Sequence, residues 1–225
     1  MSECTKYCRL QGVQMMKRYF GVLALAAVLA GAALPAFADW VLEPEQSHLA
    51  FISIKAQNIA EIHSFEQMTG RVDADGQVTM QLMLDSVETQ IPVRNERMRE
   101  LLFKTADYQQ ATLSAKIDPA VLDAMQVGEI GQLTGEAVLS LHGQEQPMTM
   151  HLQVARVAPD VMLVASRQPL VVDAEKFGLT PGIEQLRELA GLESISHAVP
   201  VTFVLTFVQE PAASTDAADA SDTAD

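Results

Sequence analysis

Five histidines, at positions 48, 63, 142, 151 and 197, are the side chains best suited to metal binding or proton transfer, and each stands nine or more residues from the next. Metal sites usually draw two ligands from within a few residues of each other, so a metal here would need convergence from distant strands. Asp85 with Glu88, and Glu184 with Glu188, have the spacing of a carboxylate pair, but in an acidic chain such pairs are ordinarily a solvated face. There is no Gly-x-Ser-x-Gly, no His-Glu-x-x-His and no glycine-rich loop before a helix. The only cysteines, Cys4 and Cys8, precede an apolar run, which leaves no thiol in the residues after it. No catalytic residue, metal site or cofactor motif emerges, and the expectation is a binding protein rather than an enzyme.

The 225 residues are 48% hydrophobic and 20% charged, enough for one barrel or sandwich domain. Fifteen basic residues against 29 acidic give a formal charge of −14, which repels phosphate backbones and argues against nucleic acid as a partner. Met16-Lys17-Arg18, the apolar run Tyr19 to Leu34, and Ala36-Phe37-Ala38 read as the n-region, h-region and cleavage site of a signal peptide. The run falls short of the ~20 residues that span a bilayer, so a cleaved signal is expected rather than a stable membrane anchor. Met1 to Met15 fits no signal peptide, and Met15 or Met16 is the expected start. Cleavage after Ala38 would begin the mature chain at Asp39, where a lipoprotein would need cysteine, and would leave 11 basic and 28 acidic residues, a charge of −17. Residues 211–225, of Pro, Ala, Ser, Thr and Asp, lack the apolar side chains needed to order them. One domain over residues 39–210 remains.

Its dominant signal has period two. Val78, Met80, Leu82 and Leu84 alternate with Gln77, Thr79, Gln81 and Met83; Met148, Met150, Leu152 and Val154 do the same, as do Leu133 to Leu141 and Val199 to Phe207. Shorter runs lie at Leu49 to Ile54, Leu113 to Ile117 and Val161 to Ser166, for about eight strands in all. Asp73-Ala74-Asp75-Gly76 and Leu141-His142-Gly143-Gln144-Glu145 read as hairpin turns, hence antiparallel pairing. Three short helices are expected over Arg94–Phe103, over Val121–Met125 after Asp118-Pro119, and over Gly182–Ala190 with Ile183, Leu186, Leu189 and Ala190 as its apolar stripe. The fold class is mainly β: an eight-stranded antiparallel barrel, either filled by its side chains or holding one ligand.

Pro44-Glu45-Gln46-Ser47-His48-Leu49-Ala50-Phe51 and, further on, Phe65-Glu66-Gln67-Met68-Thr69-Gly70-Arg71-Val72-Asp73 resemble the opening strand and the Phe-x-x-x-x-Gly strand of the YceI-like family, a family of periplasmic, polyisoprenoid-binding, lipocalin-like proteins. Arg94-Asn95-Glu96-Arg97-Met98-Arg99 with Leu102-Phe103 resembles its Arg-Asp-x-His-Leu-Arg helix, and Leu139-Ser140-Leu141-His142-Gly143 with Gln146-Pro147-Met148 its His-Gly hairpin. Glu175-Lys176-Phe177-Gly178-Leu179 stands where the family often has Asp-Phe-Gly-Ile. Gln46, Asn95 and Arg97 depart from the family's His, Asp and His, which puts any head-group contact at those positions in question.

The resemblance implies a carrier for a long apolar molecule: a polyisoprenoid, an isoprenoid quinone, or a fatty amide or acid. The expected cavity wall comprises Leu49, Phe51, Phe65, Met80, Leu82, Leu84, Phe203 and Phe207, with Met98, Leu102 and Phe103 at the mouth. Of eight methionines after the signal, Met68, Met80, Met83, Met148 and Met150 lie in or beside strands and would make an adaptable wall. Arg94, Arg97 and Arg99 could meet a carboxylate or pyrophosphate head, or pair with Glu96 and Glu100 on their own helix. The resemblance and the signal together imply a periplasmic location and a role in transport, storage or stress response, and a homodimer is compatible with the sequence. Two other readings stay open: a ligand-free partner of a membrane redox complex, and an enzyme acting on a lipid inside the barrel.

Overall fold

The computed structural model describes residues 39–210; the expected signal peptide, the upstream extension and the acidic tail lie outside the described residues. Twelve strands join in one antiparallel sheet. In chain order they are β1 Trp40–Leu42, β2 His48–Lys55, β3 Ile59–Phe65, β4 Met68–Val72, β5 Gln77–Met83, β6 Val87–Glu88, β7 Gln110–Lys116, β8 Ile130–Leu141, β9 Gln144–Ala158, β10 Val161–Ser166, β11 Leu170–Asp173 and β12 Ala198–Gln209. Eight of them, β1, β4, β5, β7, β8, β9, β10 and β12, close a ring, because β1 pairs β4 on one edge and β12 on the other. The strand read over Leu49–Ile54 stands beside this ring: β2 pairs the first half of β12, β3 and β6 extend it, and β11 pairs β12 from the opposite side.

Turn chemistry sets the registers. Asp73 accepts the backbone N–H groups of Asp75 and Gln77 through Oδ1 at 3.0 and 2.8 Å, and Gly76 closes the β4–β5 hairpin at φ +80°, where a Cβ would meet the Ile117 carbonyl. In the β8–β9 hairpin His142 (φ 51°) and Gly143 (φ 75°) both take left-handed conformations between Leu141 and Gln144, the arrangement that matches strand twist.

Helices close the two ends. α1 (Pro92–Arg97) starts at a proline and passes directly into a π-helical turn, Met98–Phe103, which Lys104 stops at φ 51°. α2 (Pro119–Asp123) is capped by Asp118, whose carboxylate accepts from Ala120 N–H at 3.0 Å, and ends earlier than Met125. Arg156 holds that end: its Nη1 donates to the carbonyls of Leu122 (3.4 Å) and Met125 (3.2 Å), and its guanidinium lies 5.7 Å from the centre of the Trp40 ring. α3 (Thr180–Leu189) packs on the π-helical turn; Ile183 is buried, but Leu189 is 54% exposed, so the expected apolar stripe is shorter than four residues. Gly182 permits the contact, since a Cβ there would stand 2.5 Å from the Leu101 carbonyl oxygen and 2.7 Å from Leu102 Cα. Among the described residues no helix is long and apolar enough to cross a membrane.

Two expectations follow. Gly182→Ala should destabilise the domain by about 1–3 kcal/mol, because the backbone it would strike cannot rotate away; a denaturant titration reads this. The second concerns His142, which packs against Tyr108 with ring centres 4.2 Å apart. Burial holds its imidazole below the ordinary histidine value, aided by Lys104 and opposed by hydrogen bonding to the Phe177 backbone and by Asp107. The folded chain therefore binds fewer protons than the unfolded one below that ordinary value, and stability is lost as pH falls through it. Urea midpoints should drop between pH 7.5 and 5.5 and drop less in His142→Asn, a residue that tolerates the left-handed turn.

Candidate ligand cavity

The inward phases of the ring strands do not meet at the centre. They leave a cavity of about 310 Å³ walled by Val78, Met80 and Leu82 of β5, Leu133 to Leu141 in alternation on β8, Met148 to Val154 in alternation on β9, and Val199 to Phe207 in alternation on β12. Trp40, Val72, Ile117 and Leu122 bound it at the α2 end; Leu102, Phe103, Ala174, Leu179 and Ile183 bound it at the α1 and α3 end. Gln81, Lys116 and Glu136 also touch it, yet each sits on the outward phase of its strand, so their polar ends face away; Glu136 accepts from Thr149 on the outer surface at 2.9 Å. The interior therefore presents hydrocarbon, aromatic rings and thioethers, and no group for acid–base or nucleophilic chemistry. No group of three or more metal-ligating side chains is assembled among the described residues.

The structure brings most of the expected residues to this wall. Leu49, Phe51, Phe65, Met80, Leu82, Leu84, Leu102, Phe103, Phe203 and Phe207 line the cavity. Met98 does not: it is buried in the cluster that backs the wall, with Leu84 and Val87. Met83, on the other phase of β5, is likewise off the wall, whereas Met68, Met148 and Met150 are on it. Wall residues absent from the expected set, among them Leu113, Ala137, Met162, Val164, Leu170 and Val172, lie in the same period-two runs or on the unforeseen β11.

The three arginines are not on the wall. Arg99 donates from Nε to the Asp85 carbonyl at 2.7 Å, and Arg97 is half-buried on α1. Arg94 pairs with Glu61 of β3 at 2.7 Å and donates to the Thr89 carbonyl at 2.6 Å, while none of the described ion pairs joins these arginines to Glu96 or Glu100. The reason is that β2 and β3 run past the cavity with a polar inward phase: Ser53, Lys55, Glu61 and His63 face α1 there. Lys55 also pairs with Glu61, at 2.8 Å, and the bonds from Lys55 and then Arg94 hold the Glu61 carboxyl below the usual carboxylate value against the effect of burial. His63, 4% exposed, has Nε2 2.8 Å from Ser53 Oγ; burial and then Arg94 keep its pKa low, with Glu61 opposing. Asn95 serves the same region, its Oδ1 accepting from Thr89 N at 2.9 Å and its Nδ2 donating to Glu88 at 2.9 Å, a donation that an aspartate could not make.

Aromatic rings link this cluster to the cavity wall. Phe51 and Phe65 pack tilted with ring centres 5.2 Å apart, Phe65 and Phe103 with centres 5.8 Å apart, and all three line the cavity, while the Phe51 ring centre also lies 5.2 Å from that of His63.

A family model described as the YceI-like domain matches residues 40–207. A solved structure described as a polyisoprenoid binding domain from Saccharophagus degradans, implicated in plant cell wall breakdown, is 37% identical and superposes with a TM-score of 0.75 over 77% of this chain and 99% of that one. BcnA of Burkholderia cenocepacia shares the fold at 16% identity and a TM-score of 0.57, over 73% of this chain and 98% of its own. No curated protein sequence matches significantly. An eight-stranded ring around an apolar cavity, matched from its first strand to its last by the family model, identifies the chain as a member of the YceI-like domain family.

Proposed function

We propose that this chain is an exported carrier that holds a long apolar lipid, of the polyisoprenoid, isoprenoid quinone or fatty-chain class, inside its barrel. The observation that carries the reading is the cavity of about 310 Å³ with no polar end on its wall. Packed interiors rarely leave voids larger than a water molecule. At ~24 cal/mol per Å³, an unfilled apolar void of this size would cost on the order of 7 kcal/mol, comparable with the whole stability of many domains. A filled barrel does not carry such a space, and a polar ligand would find no hydrogen-bond partner in it. The 37% identity to a polyisoprenoid binding domain over 99% of that chain supports the isoprenoid class. Export rests on the apolar run before Asp39 with its small-residue boundary, and export and family together support the reading of a periplasmic location with a role in transport, storage or stress response.

Native mass spectrometry of the protein purified from its own source, followed by organic extraction, tests the reading. A stoichiometric isoprenoid, quinone or fatty compound is the expected result; an empty protein that also refuses these lipids when offered would overturn it. Leu82 lines the cavity near the C-terminal end of β5, so Leu82→Arg should abolish uptake by placing an unpaired charge in the apolar space. Circular dichroism identifies the folded fraction, and uptake by a folded variant would show that this phase does not face the ligand.

A further inference from the structure

An apolar wall leaves unanswered where the polar end of a lipid goes, and the described residues contain four buried side-chain atoms without a hydrogen-bond partner: His63 Nδ1, Arg94 Nε, His142 Nε2 and Thr180 Oγ1. Two of the four belong to the cluster that the aromatic rings link to the cavity wall. Resting on the carrier reading, we infer that this cluster receives the oxygen-bearing end of the bound chain, a carbonyl or carboxylate oxygen accepting hydrogen bonds from Arg94 Nε and His63 Nδ1.

The chemistry of the two atoms points to an acceptor. A guanidinium N–H can only donate, and an orphaned buried donor calls for a partner. The Nη1 and Nη2 groups of Arg94 already serve Glu61 and the Thr89 carbonyl, which fixes the side chain and leaves Nε free. His63 is held similarly by the 2.8 Å contact between its Nε2 and Ser53 Oγ, and in the proposed tautomer the Ser53 hydroxyl donates to Nε2 and the ring proton on Nδ1 is a second donor. His63 and Glu61 are two residues apart on the same face of β3, and Glu61 binds Arg94 of α1, so both donors lie over one face of one strand pair. The charges agree. Lys55 and Arg94 both meet the carboxylate of Glu61, two cations on one anion, in a chain whose formal charge is −14.

Position then ties the cluster to the cavity. Phe51 lines the cavity and its ring centre lies 5.2 Å from that of His63, so one side chain touches both the cavity and the cluster. The opposite end offers no equivalent: Arg156 commits both Nη atoms to the carbonyls of Leu122, Met125 and Pro159 and covers Trp40. A chain with an oxygen at one end would therefore lie with that end toward β3 and its tail toward α2.

The test equilibrates the protein with phosphatidylcholine vesicles carrying, in separate arms, a polyprenyl-tailed quinone, a long-chain fatty carboxylate, or an all-hydrocarbon polyprene, and quantifies lipid extracted with the protein. The wild type should favour an oxygen-bearing lipid over the hydrocarbon by about tenfold, the size of one buried hydrogen bond to a charged group. His63→Leu and Arg94→Gln should remove most of that preference while leaving hydrocarbon uptake unchanged; in Arg94→Gln, Lys55 still pairs with Glu61, so this variant serves if His63→Leu does not fold. Preference for the quinone or for the carboxylate identifies which oxygen the site takes, and either supports the inference. Uptake of all three lipids alike, or an oxygen preference that survives in folded variants, would overturn the inference and leave the carrier reading standing. Uptake of none would overturn both.

Discussion

The structure is governed by a mismatch between ring circumference and side-chain volume. Eight antiparallel strands close on one another, and each contributes an inward row of medium-sized apolar side chains; rows such as Leu133, Gly135, Ala137, Leu139 and Leu141 include residues too small to reach the axis. Closure removes the free strand edges between which the sheet could flatten, so the space inside is imposed by the backbone and cannot collapse as a solvent cleft would. Everything else in the domain answers that constraint: helices must cover the ends, and the wall must tolerate an interior that its own side chains do not fill.

The two ends answer it differently. At the α2 end the closure is fixed, because one arginine satisfies helix carbonyls and at the same time covers an aromatic ring, coupling cap and barrel through a single side chain. At the α1 and α3 end the closure is a layer of phenylalanines beneath a π-helical turn, and π-helical turns break the ordinary hydrogen-bond ladder of a helix. Gly182 lets α3 press against that turn backbone to backbone, so the turn is braced from outside while its inner face presents Leu102 and Phe103 to the cavity. Beyond this layer the inward phase of β2 and β3 changes from apolar to polar within four residues, from Phe51 to Lys55.

Period two made most of the wall legible in the sequence. The alternations over β5, β8, β9 and β12 are clean because one face of each strand meets the cavity and the other meets water, and those phases are the ones on the wall. The helix starts at Pro119 and Pro181 were legible for a local reason, since proline suits a first turn, whereas the first helix begins at Pro92, two residues before the Arg94 expected from the sequence. What could not be read was anything set by closure. β1, β6 and β11 have four residues or fewer and carry no periodicity of their own; β1 and β11 exist because β12 offers edges to pair, and β6 because β3 does. Met98 looked like a wall residue because helical spacing puts it near Leu102, but the change to π-winding at Met98 alters which side chains share a face. Arg94 looked free or helix-paired because Glu61, 33 residues away, is brought beside it only when β3 crosses under α1.

The methionines show how an unfilled ring can remain a well-ordered fold. Met80 lies over Gly70 of the neighbouring strand so closely that a Cβ at residue 70 would fall 2.3 Å from the Met80 sulfur. The glycine thus provides a recess in the wall, and an unbranched thioether is the side chain able to enter or leave it by rotation about its own bonds. Met68, Met148, Met150 and Met162 line the same space from β4, β9 and β10. A wall of leucines and valines would have one packing and one cavity shape. A wall in which several members change length and direction without moving the backbone can fit occupants of different thickness while the ring's hydrogen bonds stay intact, and that separates the stability of the barrel from the identity of what it holds.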